Sequence, residues 1–96
     1  MGLVQLLKKI HDHRFNDPIP NEALAEVDRE LLLVRVILER VIEDRSLEEK
    51  DKEHEFENQL NYSIVNEDTR ITHPIALNMI DASCEEAGVN IKIKRP

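Results

Sequence analysis

Three groups of side chains in this chain are of types that do chemistry. His11-Asp12-His13 sets two imidazoles and a carboxylate side by side, donors that suit zinc and other transition metals. His73 and Cys84 are the types of a base and a thiol nucleophile. Glu48, Glu49, Asp51, Glu53, Glu55 and Glu57 concentrate carboxylates over residues 48–57, a hard-oxygen set of the kind that holds Ca²⁺.

The spacing argues against each of these. Side chains at i and i+2 of a helix point about 200° apart, so His11 and His13 diverge. No H-x-x-x-H or C-x-x-C pattern supplies further ligands. No oxyanion motif accompanies His73 and Cys84, and a lone Cys on the apolar side of a helix reads as a small buried hydrophobe. An EF-hand loop needs a central Gly, and residues 48–57 contain none. The sequence therefore gives no catalytic residue, no metal site and no cofactor, and the expectation is a protein that is not an enzyme. The acidic run is kept as a candidate partner surface with two readings. It is a solvated helix face with internal pairs such as Glu48–Lys52, or a ridge that imitates a phosphate backbone and occupies a nucleic-acid-binding partner.

The elements that must position these groups are dominated by one pattern. Leu24, Val27, Leu31, Val34, Leu38 and Val41 recur at alternating spacings of three and four, which places all six on one seam of an α-helix. Leu32, Leu33, Val36 and Ile37 widen that stripe, so the helix is expected to be covered on more than one side. Arg35 interrupts the run and is too costly to bury unpaired. It is expected to pair with Glu39 one turn on, or with Glu30 or Asp28 of a partner helix.

Residues 1–15 read as an amphipathic helix with Leu3, Leu6, Leu7 and Ile10 inward and Phe15 at its apolar end. Pro18 and Pro20 make a turn, and Asn21 is placed to cap a long helix. That helix spans 21–58, with a bend where Ser46 and Glu49 match a capping box. The remainder, 59–96, reads as strand, helix and strand. Leu60, Tyr62 and Ile64 alternate with polar residues, although Phe56, Leu60 and Ile64 also fit helical spacing. Pro74 suits the first turn of a helix over 74–87, with Thr72 or His73 before it, and Gly88 suits its end. Val89, Ile91 and Ile93 alternate with Asn90, Lys92 and Lys94, the pattern of a half-buried strand. The expected fold is one small domain, 1–96, mainly α, with a long central helix, flanking helices and a short C-terminal β element, which would make it a small α+β fold.

Composition bounds the function. The net charge is −7, from 20 Asp and Glu against 13 Lys and Arg. Residues 1–15 and 89–96 are net basic, so the middle is more acidic than the whole. Such a middle repels phosphates, and nucleic acid is not the favoured partner. Aromatic residues are only Phe15, Phe56 and Tyr62, which leaves an aliphatic core. A chain of this size buries roughly 60–65% of its unfolded surface, so one long apolar helix invites a second copy to cover it. One Cys permits no internal disulfide, consistent with a reducing compartment. No secretory signal or membrane span is read: the N-terminal apolar run is short and broken by Lys8 and Lys9. Leu6 occupies the position where myristoylation prefers Ser or Thr. The expected location is cytoplasmic.

The leading expectation is a small acidic protein–protein interaction module. It would be a homodimeric regulator or adaptor joined through Leu24, Val27, Leu31, Val34, Leu38 and Val41, with the acidic ridge facing an unidentified protein partner. Its composition is like that of small acidic helical proteins of plasmids and phages. Two other readings stand beside it. One is a nucleic-acid-associated factor that uses Lys92, Lys94 and Arg95 with Lys8, Lys9 and Arg14. The other is a small enzyme built on His73, Cys84 or the His11/His13 pair.

Overall fold

The seam helix lies at the centre of the molecule and packs on every other helix. The structure is a computed structural model describing residues 2–96. Its elements are α1 (Gly2–Asn16), α2 (Asn21–Glu43), α3 (Glu49–Val65) and α4 (Pro74–Ala87), with α2 against α1, α3 and α4 and α1 also against α4. The first three helices run antiparallel in sequence, as short connections require. Arg14 near the end of α1 pairs with Asp28 early in α2, and Lys52 at the start of α3 reaches the Ile42 carbonyl at the end of α2.

The core is aliphatic apart from Phe56, its largest fully buried side chain. Five of the six seam residues, Val27, Leu31, Val34, Leu38 and Val41, are buried within the single chain, and Leu24 is half-buried. They meet Leu3, Leu6 and Ile10 of α1, Phe56, Leu60 and Ile64 of α3, and Leu77 and Ile80 of α4 in one cluster. Each fully buried aliphatic side chain contributes about 1.5–3 kcal/mol. The seam is therefore consumed inside the fold, and the size argument for a second copy covering it does not hold: three short helices suffice.

The chain breaks the long helix expected over 21–58 by local polar chemistry. The Asp44 carboxylate accepts from the Ser46 backbone N–H at 2.9 Å and from its hydroxyl at 2.6 Å, an Asx turn that ends α2. Those two bonds hold the Asp44 carboxyl below the usual carboxylate range. Ser46 is thereby spent and does not form the capping box with Glu49; α3 starts without a side-chain cap. Lys52 closes the α2 end instead. It is 7% exposed and donates to the Ile42 carbonyl at 2.7 Å and to Glu49 at 3.2 Å, which puts a cation at a helix C-terminus. Asn21 is the first residue of α2 and not its cap; Pro20 precedes it and no side chain caps the helix.

The β expectations are corrected. Residues 60–64 belong to α3, because Lys52, Phe56, Leu60 and Ile64 continue one stripe of spacing four, all buried. No strand occurs among the described residues. Residues 89–96 are extended but pair with no strand. They lie against the side chains of α3 and α4. The punctuation of α4 is as expected: Pro74 opens it, the His73 imidazole accepts from the Ile75 N–H at 3.1 Å, and Gly88 ends it at φ 70°, where a side chain would be strained.

The α3–α4 loop is anchored to α2. Arg29 donates to the Thr69 and Arg70 carbonyls at 2.9 and 3.3 Å. Glu30, wholly buried, accepts the His73 backbone N–H. Ile71 is buried between these ties.

Candidate functional site

A cleft lies between α1 and α2. Its volume is about 860 Å³, and its walls include Lys8, His11 and Phe15 from α1 and Leu32 and Arg35 from α2. The antiparallel hairpin builds it. Residues 8, 11 and 15 form one stripe of α1, and 28, 32 and 35 line the cleft from α2. An apolar side chain is left uncovered on each side: Phe15 is 66% and Leu32 58% exposed; Val4 and Val36 are exposed outside the cleft walls.

Polar pairs fix the rim. Arg14 donates to both Asp28 carboxylate oxygens through Nε and Nη2, the Nη2 bond at 2.9 Å, and its guanidinium carbon lies 5.0 Å from the Phe15 ring centre. The His11 ring packs on the other side chain of that stripe, 4.7 Å between its centroid and that of Phe15. Phe15 is thus held at the mouth of the cleft by a cation and a ring. Arg35 pairs with Glu39 at 3.2 Å, the intrahelical partner expected from the sequence, and remains exposed. Lys8 and Lys9 complete a rim more basic than the molecule as a whole.

The groups that looked chemical are placed elsewhere and apart. His13 faces away from His11 and bridges Asp17 at 2.7 Å and Glu86 of α4 at 3.0 Å. The Asp17 hydrogen bond, opposed by desolvation and aided by Glu86, raises its pKa above the ordinary value. No cluster of three or more metal-ligating side chains occurs among the described residues. His73 caps the start of α4, whereas Cys84 lies near its end, roughly 16 Å along the axis. Cys84 is buried, and burial followed by the charges of Asp81 and Glu53 pushes its thiol up to about 12. A thiol so far from ionisation is a poor nucleophile.

The predicted partner surfaces converge on each other. Glu48, Glu49 and Asp51 are exposed, and Glu55 accepts from Gln59 at 2.6 Å. Glu53 and Glu57 turn to the C-terminal segment and accept the backbone N–H groups of Asn90 and Lys92. Lys92 and Lys94 are exposed above that ridge, while Arg95 binds Asn78 and Asp81 of α4. Acidic ridge and basic patch are therefore adjacent.

The cleft itself had a signal in the sequence: α2 carries more apolar residues than one seam needs. Ile37 and Leu33 find cover on the inner side; Leu32 and Val36 do not. Phe15 read only as the end of the α1 stripe, because nothing in its spacing shows that it points outward. No helix among the described residues is long and apolar enough to cross a membrane. No known protein family, no curated protein and no solved structure matches the chain.

Proposed function

We propose that this chain is a non-enzymatic protein-binding module that seats an acidic amphipathic helix of a partner protein across α1 and α2. One observation carries the reading: the central helix leaves Leu32 uncovered beside Phe15, in a cleft with a basic rim on an acidic molecule. Two antiparallel helices with an apolar groove accept a third helix through anchors at i, i+3, i+4 and i+7. Lys8, Lys9 and Arg35 favour carboxylates on the incoming helix and disfavour a basic one, which sets orientation and partner choice more than affinity. A homodimer belongs to the same reading only if a second copy uses this cleft, since the seam side chains are already covered.

The test is nuclear magnetic resonance titration of ¹⁵N-labelled protein with two model amphipathic helices that differ only in Glu or Lys on the polar face. The acidic peptide is expected to shift amides around Phe15, Leu32 and Arg35, and Leu32→Glu is expected to abolish the shifts. Equal responses to both peptides, or shifts confined to α3 and α4, overturn the reading. Sedimentation over a wide concentration range decides the homodimer: a dimer that Leu32→Glu dissociates places the second copy in the cleft, and a monomer at all concentrations removes it.

A further inference from the structure

Residues 89–95 are held the way a receptor holds a peptide. The segment runs in the same direction as α3 and doubles back along α4. The backbone N–H groups of Asn90, Lys92 and Lys94 donate to Glu53 at 2.7 Å, Glu57 at 2.5 Å and Asn61 at 2.8 Å. Asn61 also donates its side-chain amide to the Lys92 carbonyl at 2.8 Å, so one amide grips the strand edge on both sides of Ile93. The donors lie two residues apart on an extended chain and the acceptors four apart on a helix, two repeats of nearly equal advance. Two of the acceptors are carboxylates, which strengthens their bonds.

The alternate side chains point the other way. Val89 is buried and Ile91 and Ile93 pack against the core between α3 and α4. Arg95 closes the far end on Asn78 and Asp81. Three contact types therefore define the groove: backbone edge, alternate apolar side chains and a terminal cation. The side chains of Asn90, Lys92 and Lys94 are exposed and take no part in the backbone reading. The segment joins the body at Gly88, which is left-handed at φ 70° and has open space around its Cα, with no atom within 4 Å of a Cβ built there. The Gly88 and Val89 N–H groups bond to the Glu85 and Cys84 carbonyls at 3.3 and 2.9 Å, so the segment leaves α4 from a capped turn and its release begins beyond Val89.

We propose that the α3–α4 groove is a receptor for an extended, alternately apolar segment with a basic end, that residues 89–95 fill it as an exchangeable strap, and that the same segment of a second copy is its occupant in trans. The partner chemistry is fixed by the resident segment, whose basic residues also suit the acidic face of another copy. Tethering gives the resident strap an effective concentration in the millimolar range, so the trans event emerges when the resident strap is weakened. This inference is independent of the α1–α2 cleft.

The experiment uses the full chain and a fluorescein-labelled synthetic peptide of residues 88–96, read by anisotropy. Ile91→Asp with Ile93→Asp releases the strap and leaves the groove residues intact. The released variant is expected to bind the peptide at least about tenfold more tightly than the wild-type chain, whose own strap competes. Adding Asn61→Ala to the released variant is expected to weaken binding at least about tenfold, through the two lost bonds that flank Ile93. The proposal is overturned by a folded released variant that binds no peptide, by affinity indifferent to Asn61, or by a scrambled peptide that binds equally well. Loss of helical circular dichroism on releasing the strap also overturns it, because the segment is then a fixed part of the core.

Discussion

The carboxylate of Glu30, with no solvent exposure, accepts the backbone N–H of His73 at 2.9 Å. It puts a negative group of α2 at the start of α4, where a helix N-terminus welcomes one. Its second oxygen makes no hydrogen bond, although an Arg29 nitrogen stands 3.5 Å away. That contact is an ion-pair approach without hydrogen-bond geometry. Glu30→Ala leaves the His73 N–H buried and unpaired and is expected to cost about 2–3 kcal/mol. Glu30→Gln keeps the acceptor and is expected to cost less. Urea denaturation of both variants checks the order; a Gln variant as unstable as the Ala one would show that the charge, and not the accepted bond, matters.

His13 makes stability depend on pH. Its native pKa is raised, by Asp17 first and Glu86 in support. Its contribution is therefore full below the unfolded value near 6.5 and is lost as pH rises through the higher native value. The pair is partly exposed, so the expected loss is about 0.5–1 kcal/mol. Denaturation midpoints of wild type and His13→Gln should converge above that range and separate below it. Parallel curves across the range would remove the assignment.

Two leucines of α2 should behave oppositely. Leu38 is fully buried and Leu32 is 58% exposed. Leu38→Ala is expected to destabilise by about 2–5 kcal/mol. Leu32→Glu should stay within about 0.5 kcal/mol of wild type while changing binding. Thermal melts at one concentration distinguish them, and a large loss at Leu32 would mean that the cleft wall belongs to the core.

Cys84 should resist alkylation. With its thiol pushed up to about 12 by burial, iodoacetamide at pH 8 is expected to modify it only in urea. Rapid labelling of the folded chain, followed by mass spectrometry, would contradict its burial.

Local punctuation was readable in the sequence where one residue type decides the backbone. Pro74, His73 and Gly88 bound α4 as their chemistry requires. The seam was also readable as a helix face, but a period says only that a face is apolar, not whose atoms cover it. Five of its residues turned inward to three helices of the same chain. Residues 60–64 carried two periods at once, and the stripe through Lys52 and Phe56 decided for helix. The period of two in 89–93 read as a half-buried strand; no strand forms there, although Val89, Ile91 and Ile93 do turn inward. It could not reveal that its edge would meet carboxylates and an amide of a helix in place of another strand. Of the cleft, only the surplus of apolar residues on α2 was legible. The exposure of Phe15 depends on the angle at which α1 meets α2.

The ladder between residues 90–94 and α3 also limits its own length. An extended chain advances about 6.6 Å for every two residues and a helix about 6.0 Å for every four. The two rows drift by about 0.6 Å per rung, which the rotamers of Glu53, Glu57 and Asn61 absorb over three rungs. Twice that many rungs would accumulate an offset greater than the tolerance of a hydrogen bond. A helix can therefore read only a short word of extended backbone, and any segment seated here must leave α3 where Arg95 turns to α4.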